Sequence, residues 1–326
     1  MHAFVRYNAI AEHGVRLLYH GVSMTEARIT IGPDELDLDH TLTPGQSFRW
    51  KKDARGRWTS VVRRRVVRVR REGGEIICDI FPEGDARAFI EDYFRLDVNL
   101  PDLYRDFRRA DARIAGAIER FKGLRVLRQE PEEALLSYVC SAANSVPRIS
   151  AAIEIISKRH GERIAELDGR AYHAFPTAET LARADPEELA GVCSLGFRCP
   201  NLISVARELV NRPAEWLNRL READYQTARA ELLSIRGIGC KIADCVLLFS
   251  LDKDQAFPVD THVRRIAVKH YLPEFKQKTL TPAVYQEIVD YFQAKFGAYA
   301  GWAQEYLFYD DLLRGRLSER DLSCSP

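Results

Sequence analysis

Residues 232–250, LLSIRGIGCKIADCVLLFS, decide the fold, because two apolar segments of helical period stand on either side of Gly237-Ile238-Gly239. Glycine adopts backbone conformations that other residues resist, so the pattern predicts a helix end, a tight turn and a second helix that begins at once. Leu232 and Ile235 before the turn and an amphipathic helix after it indicate a helix-hairpin-helix. A plain turn between two helices gives a similar pattern.

The hairpin also indicates a partner. Gly237 and Gly239 allow main-chain amides at a helix N-terminus to approach a phosphate, which positions a nucleic-acid backbone without reading its sequence. Lys241 lies in the first turn of the second helix, where the helix dipole disfavours an ammonium ion and favours a nucleophilic amine. A solvent-facing cation that contacts phosphate explains Lys241 equally well.

A second candidate is Asp260 in FPVDTHV, residues 257–263, between a proline-containing turn and a new helix. An aspartate at such a position caps free backbone amides of the helix. A carboxylate held by backbone donors can also stabilise positive charge that develops on a sugar ring when a base departs. The two roles are compatible.

The composition describes a protein that buries a sizeable core. A chain of 326 residues with 46% hydrophobic residues predicts two packed units. The net charge of +1 gives no sign of a nucleic-acid partner, so any basic surface must be local. No apolar run approaches the ~18 residues that cross a bilayer. Seven cysteines without paired spacing predict free thiols in a reducing compartment, and residues 1–20 lack the features of a secretory signal, so we expect a cytoplasmic protein.

Two patterns divide the chain. Residues 25–82 alternate and turn often, with Gly73-Gly74 between two β-branched runs, which predicts an antiparallel sheet with a hairpin turn. After Pro82 the period becomes helical and stays so. We therefore predict an α+β protein: a leader of unknown role at 1–24, a sheet domain at 25–124 and an all-helical domain at 125–326. The arginines of the sheet are interpreted as a solvated face without function; they are residues 63, 64, 65, 68, 70 and 71.

Taken together, these residues resemble a known family. GIGCKIADCVLLFSLDKDQAFPVDTHVRRIA, residues 237–267, resembles the helix-hairpin-helix and Gly/Pro…Asp signature of base-excision DNA glycosylases, in the form found in 8-oxoguanine DNA glycosylases. The resemblance runs from about residue 30 to residue 312. The other matching segments are PGQSFRW at 44–50, YFRLD at 93–97, LRQ at 127–129, LGFR at 195–198 and GWAQ…LF at 301–308.

The resemblance implies a sheet domain like that of the TATA-binding protein, followed by the helical glycosylase domain. It implies a bifunctional enzyme, without cofactor or metal, that flips an oxidised guanine out of duplex DNA. Lys241 matches the nucleophile that attacks the sugar C1′ and forms a Schiff base, and Asp260 matches the essential acid. Gly45 matches the residue whose carbonyl accepts a hydrogen bond from the N7 proton that 8-oxoguanine has and guanine lacks.

The resemblance also implies a pocket for the flipped base. Lys241 and Cys245 share one helix face, as do Gln304 and Phe308, so each pair can line one cavity. Cys245 and Phe308 match the residues that sandwich the base, while Gln304 matches the reader of its Watson–Crick edge. On the residues alone, core packing explains Cys245 and Phe308 better.

Contacts with the rest of the DNA follow from other matches. Arg148 and Arg198 match arginines that contact the orphaned base, and His262 matches a phosphate-contacting residue. The segment CSAANSVPRIS departs from the family pattern, because an asparagine is usual where Ala143 stands before Asn144. Phe197 replaces a common tyrosine wedge. We therefore expect a relaxed preference for cytosine opposite the lesion.

Two alternatives remain at the level of sequence. Thymine-glycol and adenine glycosylases usually carry a four-cysteine iron–sulfur loop, for which only Cys324 lies beyond residue 245, and alkylbase glycosylases usually lack the lysine. A non-catalytic helix-hairpin-helix module explains the hairpin but not Gly45, Gln304 and Phe308 together. The interpretation we adopt is a monomeric repair enzyme whose partner is duplex DNA that contains oxidised guanine.

Overall fold

The computed structural model describes residues 7–11, 14–19, 22–142, 144–193, 195–196 and 198–323. Its first strands are β1 (Tyr7–Ala11), β2 (Gly14–Tyr19), β3 (Val22–Thr30), β4 (Lys51–Lys52), β5 (Trp58–Val62), β6 (Arg65–Glu72) and β7 (Glu75–Phe81). They form one antiparallel sheet in the spatial order β1-β2-β3-β7-β6-β5-β4. β1 and β2 lie within residues 1–24, so the sheet begins before the predicted boundary at residue 25.

Helices make up most of the remaining chain. They are α1 (Leu38–Leu42), α2 (Ala86–Tyr93), α3 (Leu100–Ala110), α4 (Ala112–Arg120), α5 (Pro131–Val139), α6 (Val146–His160), α7 (Ala178–Ala182), α8 (Pro186–Cys193), α9 (Arg198–Val210), α10 (Trp216–Glu222), α11 (Tyr225–Leu233), α12 (Cys240–Ser250), α13 (Thr261–His270), α14 (Pro282–Phe296) and α15 (Ala300–Ser323). In the described part of the chain, none combines the length and apolar character that crossing a membrane requires.

The predicted α+β arrangement is confirmed. The Gly73-Gly74 turn joins β6 to β7, with Glu72 paired to Glu75 and Gly73 at φ +57°. One face of the sheet packs its β-branched side chains against α2, where Phe89 belongs to the same buried cluster as Val67. α3 and α4 instead pack within the helical core.

One small feature of the helical domain was not predicted. β8 (Arg163–Leu167) and β9 (Arg170–His173) form an antiparallel hairpin after α6. Ala165 and Leu167 of β8 are buried against the sheet domain, in the same cluster as Val66 and Phe81. The short hairpin therefore serves as part of the contact between the two domains.

The interpretation of the sheet arginines as a solvated face needs correction. Arg68 is 4% exposed and contacts Asp168 at 2.8 Å, while Arg64 pairs with Glu162 next to the β8–β9 hairpin. Arg70 pairs with Asp79 within the sheet at 2.8 Å. Arg68 joins the sheet to the helical domain and Arg70 ties two strands together, since long side chains can bury their stems and still reach a carboxylate. Arg64 and Arg65 are exposed, so for these two positions the solvated face is confirmed.

Buried polar contacts fix the loop after α1 between the domains. The Gln46 amide nitrogen donates to the Arg125 carbonyl at 2.8 Å, and its side-chain oxygen accepts from the Leu127 backbone amide at 2.9 Å. The Gln46 carbonyl accepts from the Tyr138 hydroxyl at 2.7 Å and from the Gln129 amide at 2.8 Å. Both ends of the side-chain amide and the backbone carbonyl of this residue have partners, so Gly45 before it is held in place.

Candidate active site

A cavity of about 940 Å³ opens between the loop after α1, the start of α6, α12, α13 and α15. It brings together most residues that the sequence singles out: Gly45, Asn144, Arg148, Gly237, Gly239, Lys241, Cys245, Asp260, His262, Gln304 and Phe308. These residues span more than 260 positions of the chain and meet only through the packing of both domains. The cavity is therefore the candidate active site.

The helix-hairpin-helix forms as predicted at the edge of this cavity. α11 ends at Leu233, and α12 begins at Cys240 directly after Gly239. Gly237 has φ +96°, and a Cβ there would stand 1.9 Å from the Asn201 side-chain oxygen. The positive φ favours glycine here, and the absence of a Cβ lets the turn lie against the Asn201 side chain of α9.

Lys241 extends from the first turn of α12 into the cavity. Its Nζ donates to the Ser141 hydroxyl at 2.9 Å and lies 5.1 Å from the centre of the Tyr138 ring. Ser141 in turn donates to the Tyr138 carbonyl at 2.6 Å, which orients a lone pair towards the lysine. Among the described residues, no carboxylate lies within ion-pair distance of this amine. The amine is thus positioned by a neutral acceptor.

Asp260 caps α13 as predicted, with its Oδ1 accepting from the Val263 amide at 2.8 Å. The loop before it is tied to α12 by a buried chain of contacts. The Val259 amide donates to the Tyr285 hydroxyl at 3.1 Å, and that hydroxyl donates to Asp244 on α12 at 2.7 Å. Arg229 completes the chain with an ion pair to Asp244 at 2.8 Å. The helix that carries Lys241 and the loop that carries Asp260 therefore share one scaffold.

Gly45 lies in the cavity lining, directly against the start of α6. Its φ is +96°, and a Cβ at this position would stand 2.8 Å from Cγ2 of Val146. A side chain would be strained by the backbone and crowded by the valine. The residue can therefore present its backbone, rather than a side chain, to a ligand.

The walls suited to a flat ligand come from α12 and α15. Cys245 is 3% exposed, and burial raises the pKa of its thiol to about 12, so it offers a neutral, polarisable surface. Phe308 is half-buried on α15. Gln304 is 5% exposed, and its side-chain oxygen has no hydrogen-bond partner among the described residues. A buried amide oxygen without a partner is a polar group suited to a bound base.

His262 lies at the rim, edge-on to Phe308 with ring centroids 5.6 Å apart. Its Nδ1 is 3.1 Å from an Asp311 carboxylate oxygen and 3.0 Å from an Arg265 guanidinium nitrogen. Arg265 also pairs with Asp311. Nδ1 donates to Asp311 when it carries the proton and accepts from Arg265 when it does not, so Nε2 is the nitrogen that can contact a ligand.

The predicted readers of the opposite base are only partly assembled. Arg148 is exposed on the cavity rim, and Asn144 donates from its amide to the Cys140 carbonyl at 3.4 Å. Arg198 donates to the Leu195 carbonyl at 3.1 Å and does not line the cavity. Ala143 and Phe197 lie outside the described residues.

Sequence reasoning missed three residues of the site. Ser141 contacts the lysine from a position 100 residues away, which no local pattern reveals. Asp311 holds His262 across 49 residues. Glu305 lines the cavity beside Gln304, and the one available signal was a charged residue inside the apolar run AGWAQEYLF.

Comparison with known proteins defines the class of this site. A model of the 8-oxoguanine DNA glycosylase N-terminal domain matches residues 28–135. A model of the HhH-GPD superfamily of base excision DNA repair proteins matches residues 136–290. The fold, the hairpin and the cavity are accordingly those of a base-excision DNA glycosylase. The N-glycosylase/DNA lyase OGG1 of Arabidopsis thaliana is 34% identical over 287 residues, 85% of this chain and 78% of the relative. The chain belongs to the 8-oxoguanine DNA glycosylase family, an enzyme family with glycosylase and lyase activities.

Two further relatives support this assignment. The N-glycosylase/DNA lyase of Saccharomyces cerevisiae is 32% identical and covers 87% of this chain and 86% of its own length. A crystal structure of the Clostridium acetobutylicum 8-oxoguanine glycosylase/lyase, in complex with duplex DNA containing cytosine opposite 8-oxoguanine, superposes with a TM-score of 0.78. It is 28% identical and covers 96% of this chain and 98% of its own. The resemblance that the sequence suggested is confirmed.

Proposed function

We propose that the protein excises 8-oxoguanine from duplex DNA, with Lys241 as the nucleophile and Asp260 as the stabilising carboxylate. The observation that carries this proposal is that one cavity holds an amine positioned by Ser141, a carboxylate at a helix N-terminus and two walls for a flat base. The Lys241 nitrogen forms a bond to C1′ while the C1′–N9 bond breaks and its electron pair leaves with the base. Asp260 stabilises the positive charge that develops on the sugar.

The covalent adduct accounts for the second activity. The attached nitrogen gives one proton to the departing base. The C1′–O4′ bond then breaks, O4′ takes up the second proton and a C1′=N double bond forms, so the adduct is a Schiff base between Lys241 and C1′. Loss of a proton from C2′ then expels the 3′ phosphate and cuts the strand by β-elimination. Hydrolysis of the Schiff base returns the free lysine.

The pocket supports recognition of an oxidised purine. The Gly45 carbonyl is proposed to accept from N7–H, Cys245 and Phe308 to enclose the base, and Gln304 to read its Watson–Crick edge. Normal guanine would place a lone pair against the Gly45 carbonyl. The volume of about 940 Å³ also accommodates ring-opened guanine lesions.

We propose contacts with DNA outside the pocket from Gly237, Gly239 and His262 to phosphate, and from Asn144, Arg148, Phe197 and Arg198 near the orphaned base. The hairpin amides and the rim position of His262 support the phosphate contacts. The cavity is lined by residues of a single chain, so the site is complete without a second copy, which supports a monomer. The six described cysteines are free thiols, as is typical of a reducing compartment such as the cytoplasm.

The experiment that tests this function is covalent trapping. The protein is incubated with borohydride and a duplex that contains one 8-oxoguanine opposite cytosine, and an undamaged duplex serves as the control. We expect a stable protein–DNA adduct and a free base only with the damaged duplex, because only a Schiff base is reduced to a permanent bond. Base release without any adduct would contradict the lysine mechanism.

Ser141→Ala should slow the reaction without weakening DNA binding, because the hydroxyl positions the Lys241 amine. A lost hydrogen bond of this kind corresponds to about 0.5–1.5 kcal/mol, so the single-turnover rate should fall by roughly threefold to tenfold. The matched control is Ser157→Ala, a buried serine of α6 whose hydroxyl has no partner among the described residues. That variant should keep the full rate. Equal rates in both variants would show that Ser141 does not position the amine.

A further inference from the structure

Glu305 is a buried carboxyl that the proposed reaction leaves unused. It follows Gln304 on α15, lines the cavity and is 2% exposed. Its Oε1 has no hydrogen-bond partner among the described residues, and no cation forms an ion pair with it there. A buried carboxyl without a partner costs folding free energy, so packing does not explain this residue.

The surroundings of Glu305 determine its charge. Asp260 at the start of α13 faces it, as do Cys245 on α12 and Tyr138 on α5, and Lys241 lines the same cavity. Burial, and secondarily the charge of Asp260, raises the pKa of Glu305 to about 8. At neutral pH the side chain is therefore a carboxylic acid with one O–H donor and one carbonyl acceptor.

We propose that Glu305 reads the flipped base as a neutral carboxylic acid, pairing its O–H and its carbonyl with an adjacent carbonyl and N–H of an oxidised purine. This inference rests on the proposed function of the cavity. 8-Oxoguanine has such an edge at N1–H with C6=O. Its N7–H is assigned to the Gly45 carbonyl, and Gln304 then reads the rest of the Watson–Crick edge by accepting from the N2 amino group through its unpartnered oxygen. A carboxylate could accept from the adjacent N1–H and N2–H donors, but its charge would stand opposite that of Asp260 in a buried site.

Two substitutions with side chains of similar length distinguish a role of Glu305 in base recognition from a role in stability. Glu305→Gln keeps a donor and an acceptor but cannot ionise, while Glu305→Met keeps the length without hydrogen bonds. Loss of a paired base contact typically changes selectivity by about tenfold to a hundredfold, so Glu305→Met should slow single-turnover release of 8-oxoguanine by that factor. Glu305→Gln should stay near the wild-type rate at neutral pH.

The pH profile gives a signature that a structural role would not produce. Above a pKa of about 8 Glu305 ionises, loses its donor and places a charge opposite Asp260. The ratio of the wild-type rate to the Glu305→Gln rate should therefore fall between about pH 7 and about pH 9. The other titrating groups are common to both proteins, so the ratio cancels their contributions.

Thermal unfolding completes the test. The pKa of Glu305 is raised in the fold, so its contribution to stability is present below about pH 4.5 and is lost as the pH rises towards 8. Glu305→Met removes that loss, so its midpoint of unfolding should exceed the wild-type midpoint by more at about pH 8 than at about pH 5. A slower but more stable enzyme would indicate a residue retained for function.

Three results would overturn the inference. The first is a Glu305→Met enzyme with the wild-type rate from about pH 6 to about pH 9. The second is a parallel loss of stability, DNA binding and rate in both variants, which would mark a structural residue. The third is a wild-type to Glu305→Gln ratio that does not change with pH. Failure of the wild-type protein itself to release 8-oxoguanine or to form the borohydride adduct would instead reject the proposed function.

Discussion

Lys241→Gln should abolish both base release and borohydride trapping, because the glutamine amide has no nucleophilic lone pair. The loss should exceed about a thousandfold in the single-turnover rate, as is usual when a covalent nucleophile is removed. The glutamine amide can still donate to Ser141, which now contacts the lysine at 2.9 Å, so the cavity should keep its shape. Gel-based measurements of base release, adduct formation and binding to lesion DNA check the three quantities separately.

The charge of the lysine needs its own control. Lys241→Arg keeps a cation at the same place, but a guanidinium remains protonated and cannot attack C1′. Both variants should lose trapping, and the arginine variant should bind lesion DNA at least as well as the glutamine variant. Removal of a cation from the first turn of α12 should leave stability unchanged or raise it by about 0.3–1 kcal/mol. An adduct with Lys241→Gln would place the nucleophile elsewhere.

Local patterns predicted those parts of the site that depend on neighbours in the chain. Gly237 and Gly239 predicted the hairpin, and the structure shows the reason at Gly237, whose φ of +96° favours glycine. Asp260 before a helical segment predicted its cap, and the i, i+4 spacing of Gln304 and Phe308 predicted a shared cavity. In each of these cases, the residues that carry the prediction lie within about one or two helical turns of one another in the sequence.

Contacts between distant segments were beyond such patterns. Ser141 lies near Lys241 because α5 packs against α12, and no spacing in the sequence encodes that packing. In the sequence, Arg68 looks like any exposed arginine of an alternating strand. It is buried because it pairs with Asp168 of the distant β8–β9 hairpin. Glu305 shows the same limit, since charged positions on helices are usually exposed and only the packing around α15 buries this one.

Asp260→Asn should lower the rate of base release by about a hundredfold or more, because the amide cannot stabilise positive charge on the sugar. The fold should change little. The Asn side-chain oxygen can accept from the Val263 amide as Asp260 does at 2.8 Å, and asparagine and aspartate cap helices about equally well. The substitution also removes the interaction of a negative charge with the helix dipole, which should lower the free energy of unfolding by about 0.3–1 kcal/mol. Single-turnover base release and thermal unfolding of the same preparation measure both effects.

A second capping aspartate provides the matched control for this substitution. Asp224 caps α11 by accepting from the Thr227 amide at 2.9 Å, and it does not line the cavity. Asp224→Asn should lower the unfolding midpoint by an amount similar to that of Asp260→Asn while base release stays at the wild-type rate. Trapping by Asp260→Asn should be slow but detectable, since Lys241 remains in place beside Ser141. Full activity in Asp260→Asn would reduce the aspartate to a helix cap, and equal loss of activity in both variants would trace the effect to stability alone.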